Sequence, residues 1–213
     1  MRFWIYAVGI LLSTSGARTC WAEVTSVADN GFVVELEREV RATPESVFQA
    51  ATRVADWWDA AHTFSGSAAN LSLDARAGGM FLEQLPGDGV VEHLRVTAVA
   101  PGKMLRMSGA LGPLGTEGLA GSMTWSFAAG EGAGTTRLRW RYAVGGSYPN
   151  GFEQIAQAVD GVLAGQIDRL QRFAEEHQPA SKATGDTGQR RPPPAGLTAL
   201  TKHTFTAKPE LPP

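Results

Sequence analysis

Cysteine is all but missing from this chain. Of 213 residues only Cys20 is one, and it lies in a stretch that reads as a removable leader. A mature protein that starts beyond it has no disulfide, no thiol nucleophile and no thiolate metal site. Histidine is scarce as well. His62, His93, His177 and His203 are scattered, with no paired-His or His-x-Glu spacing, so no metal is expected. Residues 109–115 are glycine-rich but lack the spacing and the Lys-Ser/Thr ending of a phosphate loop, and no cofactor is expected. There is no Gly-x-Ser-x-Gly elbow; Gly66-Ser67 and Gly121-Ser122 read as turn residues. No internal repeat is visible.

Long apolar runs are missing too. The longest, residues 3–12, follows Arg2 and gives way to small and polar residues. It is too short for a membrane span, which needs roughly 20 residues, and has the layout of a secretory signal. Cleavage is expected after Ala22, or alternatively after Ala17. Arg18-Thr19 before Cys20 make a poor lipid-attachment box. A periplasmic or secreted protein with no transmembrane segment after cleavage is the expectation.

Charge divides the rest. Residues 23–177 hold 12 Lys/Arg against 19 Asp/Glu, a net of −7. An acidic body argues against nucleic acid as a partner, because phosphate contacts dominate that affinity. Residues 178–213 are rich in proline and glycine, with five basic residues against two acidic ones. So little apolar surface cannot offset the entropy of ordering, and a disordered Pro-rich tail is expected. The domain boundaries read as 1–22, 23–177 and 178–213.

Within the body, residues 32–42 alternate as a strand, with Val34, Leu36 and Val40 on one face and Glu35, Glu37 and Glu39 on the other. Arg38 interrupts the apolar face, which places it in a cavity or at a bulge. Thr43-Pro44-Glu45-Ser46 starts a helix that carries Val47, Phe48, Ala50 and Ala51. Trp57-Trp58 belong to a second short helix or turn. Further strands are expected over 70–75, 80–85, 90–100, 103–111, 121–128 and 135–145. The last has Leu138, Trp140, Tyr142 and Val144 opposite Arg137, Arg139 and Arg141: one greasy face, one wet face. Residues 151–176 then repeat apolar groups at helical spacing, namely Phe152, Ile155, Ala156, Val159, Val162, Leu163, Ile167, Leu170 and Phe173. At 1.5 Å per residue that helix is about 39 Å long. Short turns favour antiparallel neighbours, and one helix covers a wide sheet only if the sheet curves around it. The fold class is therefore α+β: a curved antiparallel sheet of six to seven strands, two short helices and one long C-terminal helix, with a hydrophobic cavity between sheet and helix.

Four stretches carry a family resemblance: Arg41-Ala42-Thr43-Pro44-Glu45-Ser46-Val47-Phe48, the Trp57-Trp58 turn, Val99-Ala100-Pro101-Gly102-Lys103-Met104-Leu105, and the closing helix. On these the chain resembles the START-like SRPBCC superfamily, the helix-grip proteins, over about residues 32–176. It is most similar to the branch of polyketide cyclases/dehydrases and chaperone-ATPase activators. The segments around Trp57-Trp58, His62-Thr63-Phe64-Ser65-Gly66, Val91-Glu92-His93, Gly109–Leu114 and Ala158–Leu163 are similar to a subgroup of exported bacterial members of unassigned function. The resemblance implies a helix-grip fold with a deep hydrophobic cavity and no single reaction, since the superfamily holds carriers, hormone binders, cyclases and chaperone regulators.

Candidate ligand-binding residues are Trp57, Trp58, His62, Phe64, Met80, Leu82, Glu92, Met107, Trp125, Trp140, Tyr142 and Val159. With Leu94 and Val96 inward, alternation turns Glu92 inward and His93 outward, while a bulge would swap them and put His93 inside. Glu83 is expected outward as a solvated charge, with Met80 and Leu82 inward. An inward Arg38 or Arg106 would pair with Glu92. Residues 112–118 read as a connecting loop or as a lid opposite His62 and Phe64. The expected function is a periplasmic binding or carrier protein for a small hydrophobic molecule. The alternative is a cofactor-independent cyclase/dehydratase-type enzyme that uses Glu92 or His93 for proton transfer. An enzyme is the less favoured of the two.

Overall fold

The computed structural model describes residues 23–178. The expected leader and all but the first residue of the expected tail lie outside the described residues. Eight strands, β1 (Glu23–Ala28), β2 (Gly31–Val40), β3 (Leu71–Leu73), β4 (Met80–Gln84), β5 (Val90–Ala100), β6 (Met104–Gly109), β7 (Ala120–Ala129) and β8 (Thr136–Gly145), form one sheet. Its order is β1-β2-β8-β7-β6-β5-β4-β3, and every pairing is antiparallel. Among the described residues three α-helices, α1 (Pro44–Thr52), α2 (Val54–Trp57) and α3 (Glu153–Glu176), and three short 3-10 turns (Ala60–His62, Ala68–Asn70 and Gly112–Gly115) accompany the sheet. This is the expected helix-grip architecture with one strand more. β1 escaped the sequence reading because its pairing with β2 shifts register between Val24 and Ser26, and a bulge breaks the alternation that marks a strand.

The clearest sequence patterns fold as their periods dictate. β8 alternates buried Leu138, Trp140, Tyr142 and Val144 with exposed Arg137, Arg139 and Arg141. Opposite it, Glu35 of β2 takes hydrogen bonds from both Arg139 and Arg141 on the wet face. Such exposed cross-strand pairs add roughly 0.2–1 kcal/mol each. Thr43 caps α1 by accepting from the Ser46 N–H at 3.3 Å, with Pro44 in the first turn. α1 buries Val47, Phe48, Ala50 and Ala51. Arg38 is buried on β2, but neither cavity nor bulge accounts for it. Its Nε donates to Asp168 Oδ1 of α3 at 2.7 Å, so it ties the sheet to the helix. It does not pair with Glu92, and Arg106 is exposed.

Three indoles fill the middle. Trp125 and Trp140 are paired neighbours on β7 and β8, stacked 4.7 Å apart at 11°. Trp57, at the end of α2, leans on them at 6.1 and 6.0 Å. All are 3 % exposed or less. The sheet and the short helices therefore meet in solid packing here, and the hollow must lie elsewhere.

It lies under the first half of α3. Towards its C-terminus the helix buries Leu163, Ile167, Leu170 and Phe173. Nearer its N-terminus, Ile155, Val159 and Val162 belong to the same apolar stripe yet are only half-buried. The stripe continues there, its residues packed against the edge of the core on one side and left half-open on the other.

Candidate functional site

That gap is a cavity of about 380 Å³. One wall is the inner face of α3, with Ile155, Ala158, Val159, Val162 and Leu163. The opposite wall is the far arm of the sheet, with Leu71 of β3, Phe81 of β4 and His93 of β5. Trp58 and residues 61–64 form one rim, and residues 111–114 the other. The lining is mostly apolar, with His62, Thr63 and His93 as its polar side chains. Phe64, 52 % exposed, stands at the opening.

Both rims are fastened by polar groups. The first bridges helix and sheet. At the helix end, the Asp59 N–H donates to Oε1 of buried Gln166 at 2.9 Å, and Arg169 donates to Asp59 Oδ2 at 2.9 Å. Trp58 Nε1 closes the turn on the His62 carbonyl at 3.2 Å. At the sheet end, the Ser65 N–H donates to Glu83 Oε1 at 2.5 Å.

The second rim is held by Tyr142. Its hydroxyl accepts from the Leu111 N–H at 3.0 Å and donates to the Gly109 carbonyl at 3.4 Å. Glycine is required beside it. A Cβ on Gly121 would stand 2.6 Å from the Tyr142 ring, and one on Gly109 (φ +144°) 2.6 Å from the His93 carbonyl. Burial pushes the Tyr142 hydroxyl up to about 12, with the Leu111 N–H acting the other way. Its folded value thus exceeds the ordinary value near 10. The stabilisation is complete below about pH 10 and is lost as pH rises towards 12, a loss of about 2–3 kcal/mol. Urea midpoints from pH 8 to 12 are expected to fall over that interval. Tyr142→Phe is expected to show a shallower fall and to be about 1–3 kcal/mol less stable at neutral pH, because the Leu111 N–H loses its acceptor.

The chemistry of the site comes from a bulge. Leu82 pairs with Glu92 but Phe81 pairs with Leu94, so β5 carries His93 as an extra residue. A bulge re-aims a side chain, and here His93 and Leu94 are both buried while Glu92 is exposed and bound to Arg95 at 2.6 Å. The swap that a bulge would bring about has taken place. β4 is also one residue out of the expected phase: Phe81 and Glu83 face in, whereas Met80 and Leu82 are only half-buried. Glu83, expected in solvent, is 0 % exposed. Its Oε2 lies 2.9 Å from His93 Nε2. Burial acts to raise its pKa, but the Ser65 N–H and hydroxyl, His93 and the Phe64 N–H outweigh it and hold the carboxyl below its usual value. His93 packs against Phe81 at 5.3 Å and lies parallel to the Phe64 ring at 5.9 Å. Its other nitrogen, Nδ1, is buried without a hydrogen-bond partner.

Of the expected binding residues, Trp58, His62, Phe64 and Val159 line the cavity. Trp57, Met107, Trp125 and Trp140 are solid core, Tyr142 braces a rim, and Met80, Leu82 and Glu92 are not on the wall. The sequence reading missed Leu71, Phe81, Leu111, Leu114, Ile155, Ala158, Val162 and Leu163 as wall, and Glu83 as the partner of His93. Ile155, Val162 and Leu163 were signalled by the helical stripe that also gave Val159. For Glu83 there was no clean signal, since apolar residues occupy both phases of Met80-Phe81-Leu82.

Among the described residues no group of three or more His, Cys, Asp or Glu is placed to hold a metal ion, and no helix is long and apolar enough to cross a membrane.

Solved structures similar to this chain include norcoclaurine synthase from Thalictrum flavum, a point mutant in complex with a transition-state analogue. It is 16 % identical with a TM-score of 0.50, covering 71 % of this chain and 99 % of that one. CalU16 from Micromonospora echinospora is 20 % identical with a TM-score of 0.47, covering 68 % and 76 %. Protein MLL2253 from Mesorhizobium loti is 18 % identical with a TM-score of 0.49, covering 69 % and 99 %. No curated protein matches the chain. The sequence profile of one family, described as polyketide cyclase / dehydrase and lipid transport, matches residues 32–175. The strand-and-helix order, the sheet that wraps α3 and this match lead to one conclusion: the chain belongs to the polyketide cyclase / dehydrase and lipid transport family.

Proposed function

We propose that the protein is a periplasmic binding or carrier protein that holds a small hydrophobic molecule between the far arm of the sheet and the first half of α3. One observation carries this reading: the cavity is walled mainly by apolar side chains, with Thr63, His62 and His93 the only polar side chains among its lining residues. A volume of about 380 Å³ is in the range of small-molecule sites, and such sites pair apolar walls with a few polar groups that fix orientation. Lipid transport, one of the activities in the family's description, is consistent with carriage. The leader-like residues 3–12 support export, which fractionation of the host cell tests directly.

A second reading rests on a specific contact. Glu83 behind His93 is the arrangement of a general base with its orienting carboxylate, as a cofactor-independent cyclase or dehydratase would need. Native mass spectrometry of protein purified from its own host separates the two. A carrier is expected to yield a co-purified small molecule that is released unchanged after prolonged incubation. Conversion of that molecule during incubation, abolished in His93→Phe, would establish the enzyme instead. Protein that carries nothing and takes up no added apolar compound would refute both.

A further inference from the structure

The following inference rests on the cavity being a binding site for an apolar guest, and adds the charge that guest can carry. No Asp, Glu, Lys or Arg is among the lining residues. The cations of the described fold can be accounted for in full. Residues 23–177 hold 12 Lys/Arg. Eight are bound to carboxylates, among them Arg169 beside the rim, which is held by Asp59 Oδ2 at 2.9 Å. The other four, Lys103, Arg106, Arg137 and Arg172, are exposed and off the wall.

Hydrogen-bond donors of the rims are committed as well. Trp58 Nε1 is on the His62 carbonyl, the Thr63 hydroxyl on the Ala60 carbonyl, the Leu111 N–H on the Tyr142 hydroxyl and the Ser65 N–H on Glu83. What stands behind the wall is an anion. Glu83 is 0 % exposed, is held below its usual pKa by its neighbours, and lies 2.9 Å from His93, which is a wall residue. In either protonation state of His93 the pair carries no net positive charge. The net charge of −7 over residues 23–177 acts in the same direction at longer range. A carboxylate that entered would give up its hydration and meet no cation. Burying an unpaired charge costs far more than burying a neutral polar group.

We propose that the site selects for charge as well as for apolarity: its guest is a neutral molecule, such as an ester, ketone, alcohol or hydrocarbon, and carboxylates of matching shape are excluded.

The test uses a matched pair, 2-acetylnaphthalene and 2-naphthoate, in which a methyl group stands in for a carboxylate oxygen. Each competes against the neutral dye N-phenyl-1-naphthylamine. His62, exposed on the rim, and His93 are the lining side chains able to become cations, so the titration runs at about pH 8, above the ordinary histidine range. Wild-type protein is expected to bind the ketone at least about a hundred-fold more tightly. Ala158→Lys then supplies the missing cation. Ala158 is an exposed wall residue on α3, where lysine suits a helix and can keep its ammonium in water with its stem along apolar surface. That variant is expected to narrow the gap by about ten-fold, and Ala158→Gln, neutral and nearly as long, to leave it unchanged. Wild-type protein that binds both compounds equally, or prefers naphthoate, overturns the inference and leaves the cavity reading standing. So does a gap that Ala158→Lys fails to narrow, or that Ala158→Gln narrows as much. Displacement of the dye by neither compound overturns the cavity reading and this inference with it.

Discussion

Trp140→Ala is expected to destabilise the fold by about 3–5 kcal/mol, a large share of the roughly 5–15 kcal/mol that holds a domain together. The sequence made Trp140 a candidate for touching a ligand, and its position argues against that. It is 1 % exposed, stacked on Trp125 at 4.7 Å and met by Trp57 at 6.0 Å. Removing it opens a hole between two ring systems that are held by strand pairing on one side and by α2 on the other. Little collapse into that hole is available. Trp140→Phe should cost much less, because it keeps most of the ring and deletes an indole N–H that has no partner. Urea unfolding at 25 °C measures both. A Trp140→Ala protein of ordinary stability but altered ligand preference would put Trp140 on the cavity wall and contradict the packing described above.

Glu83→Ala is expected to cost about 3–5 kcal/mol, the scale for breaking a buried charged pair by removing one partner. The substitution strips the Ser65 N–H of its acceptor and leaves His93 with both nitrogens unsatisfied. It also detaches one end of the rim that spans from β4 to α3, so ligand binding should weaken together with stability. The pH dependence has a definite sign. The folded-state pKa of Glu83 lies below its ordinary value, so its contribution is complete above the ordinary glutamate range, near 4.3, and is lost as pH falls through the lower folded value. Wild-type stability is thus expected to drop on acidification below about pH 4, and Glu83→Ala to show a shallower drop. Identical acid profiles would mean that Glu83 is not held ionised by its neighbours.

The container was legible in the sequence because it depends on periodicity. The stripe on α3, the clean alternation of β8 and the Thr43-Pro44 helix start each fold as their spacing dictates. The site was less legible because it depends on register. β4 has apolar residues in both phases, so nothing local decides whether Phe81 and Glu83 or Met80 and Leu82 face inward. The decision comes from the bulge at His93, which is a property of the β4–β5 pairing. One residue of slip turns every side chain to the other face, and here it exchanged Glu92 for His93 and brought Glu83 behind it. The large aromatics misled for a different reason. Trp125, Trp140 and Tyr142 do face inward as alternation requires, but the hollow opens beside them, where α3 is lined by the smaller Ala158, Val159 and Val162. An inward side chain fills space as readily as it lines it, and the pattern alone does not separate the two.

The most direct measurement titrates an environment-sensitive apolar dye, N-phenyl-1-naphthylamine, against the wild type and Val159→Trp. Val159 is half-buried on the wall of the cavity, so an indole there projects into the hollow and blocks part of it without replacing any of the packed indoles beneath. Saturable one-to-one binding to the wild type, weakened by at least about a hundred-fold in a variant of unchanged melting temperature, is the result expected of a site that buries most of its guest. Equal binding by both proteins, or none by the wild type, would contradict the claim that a guest lodges between α3 and the sheet.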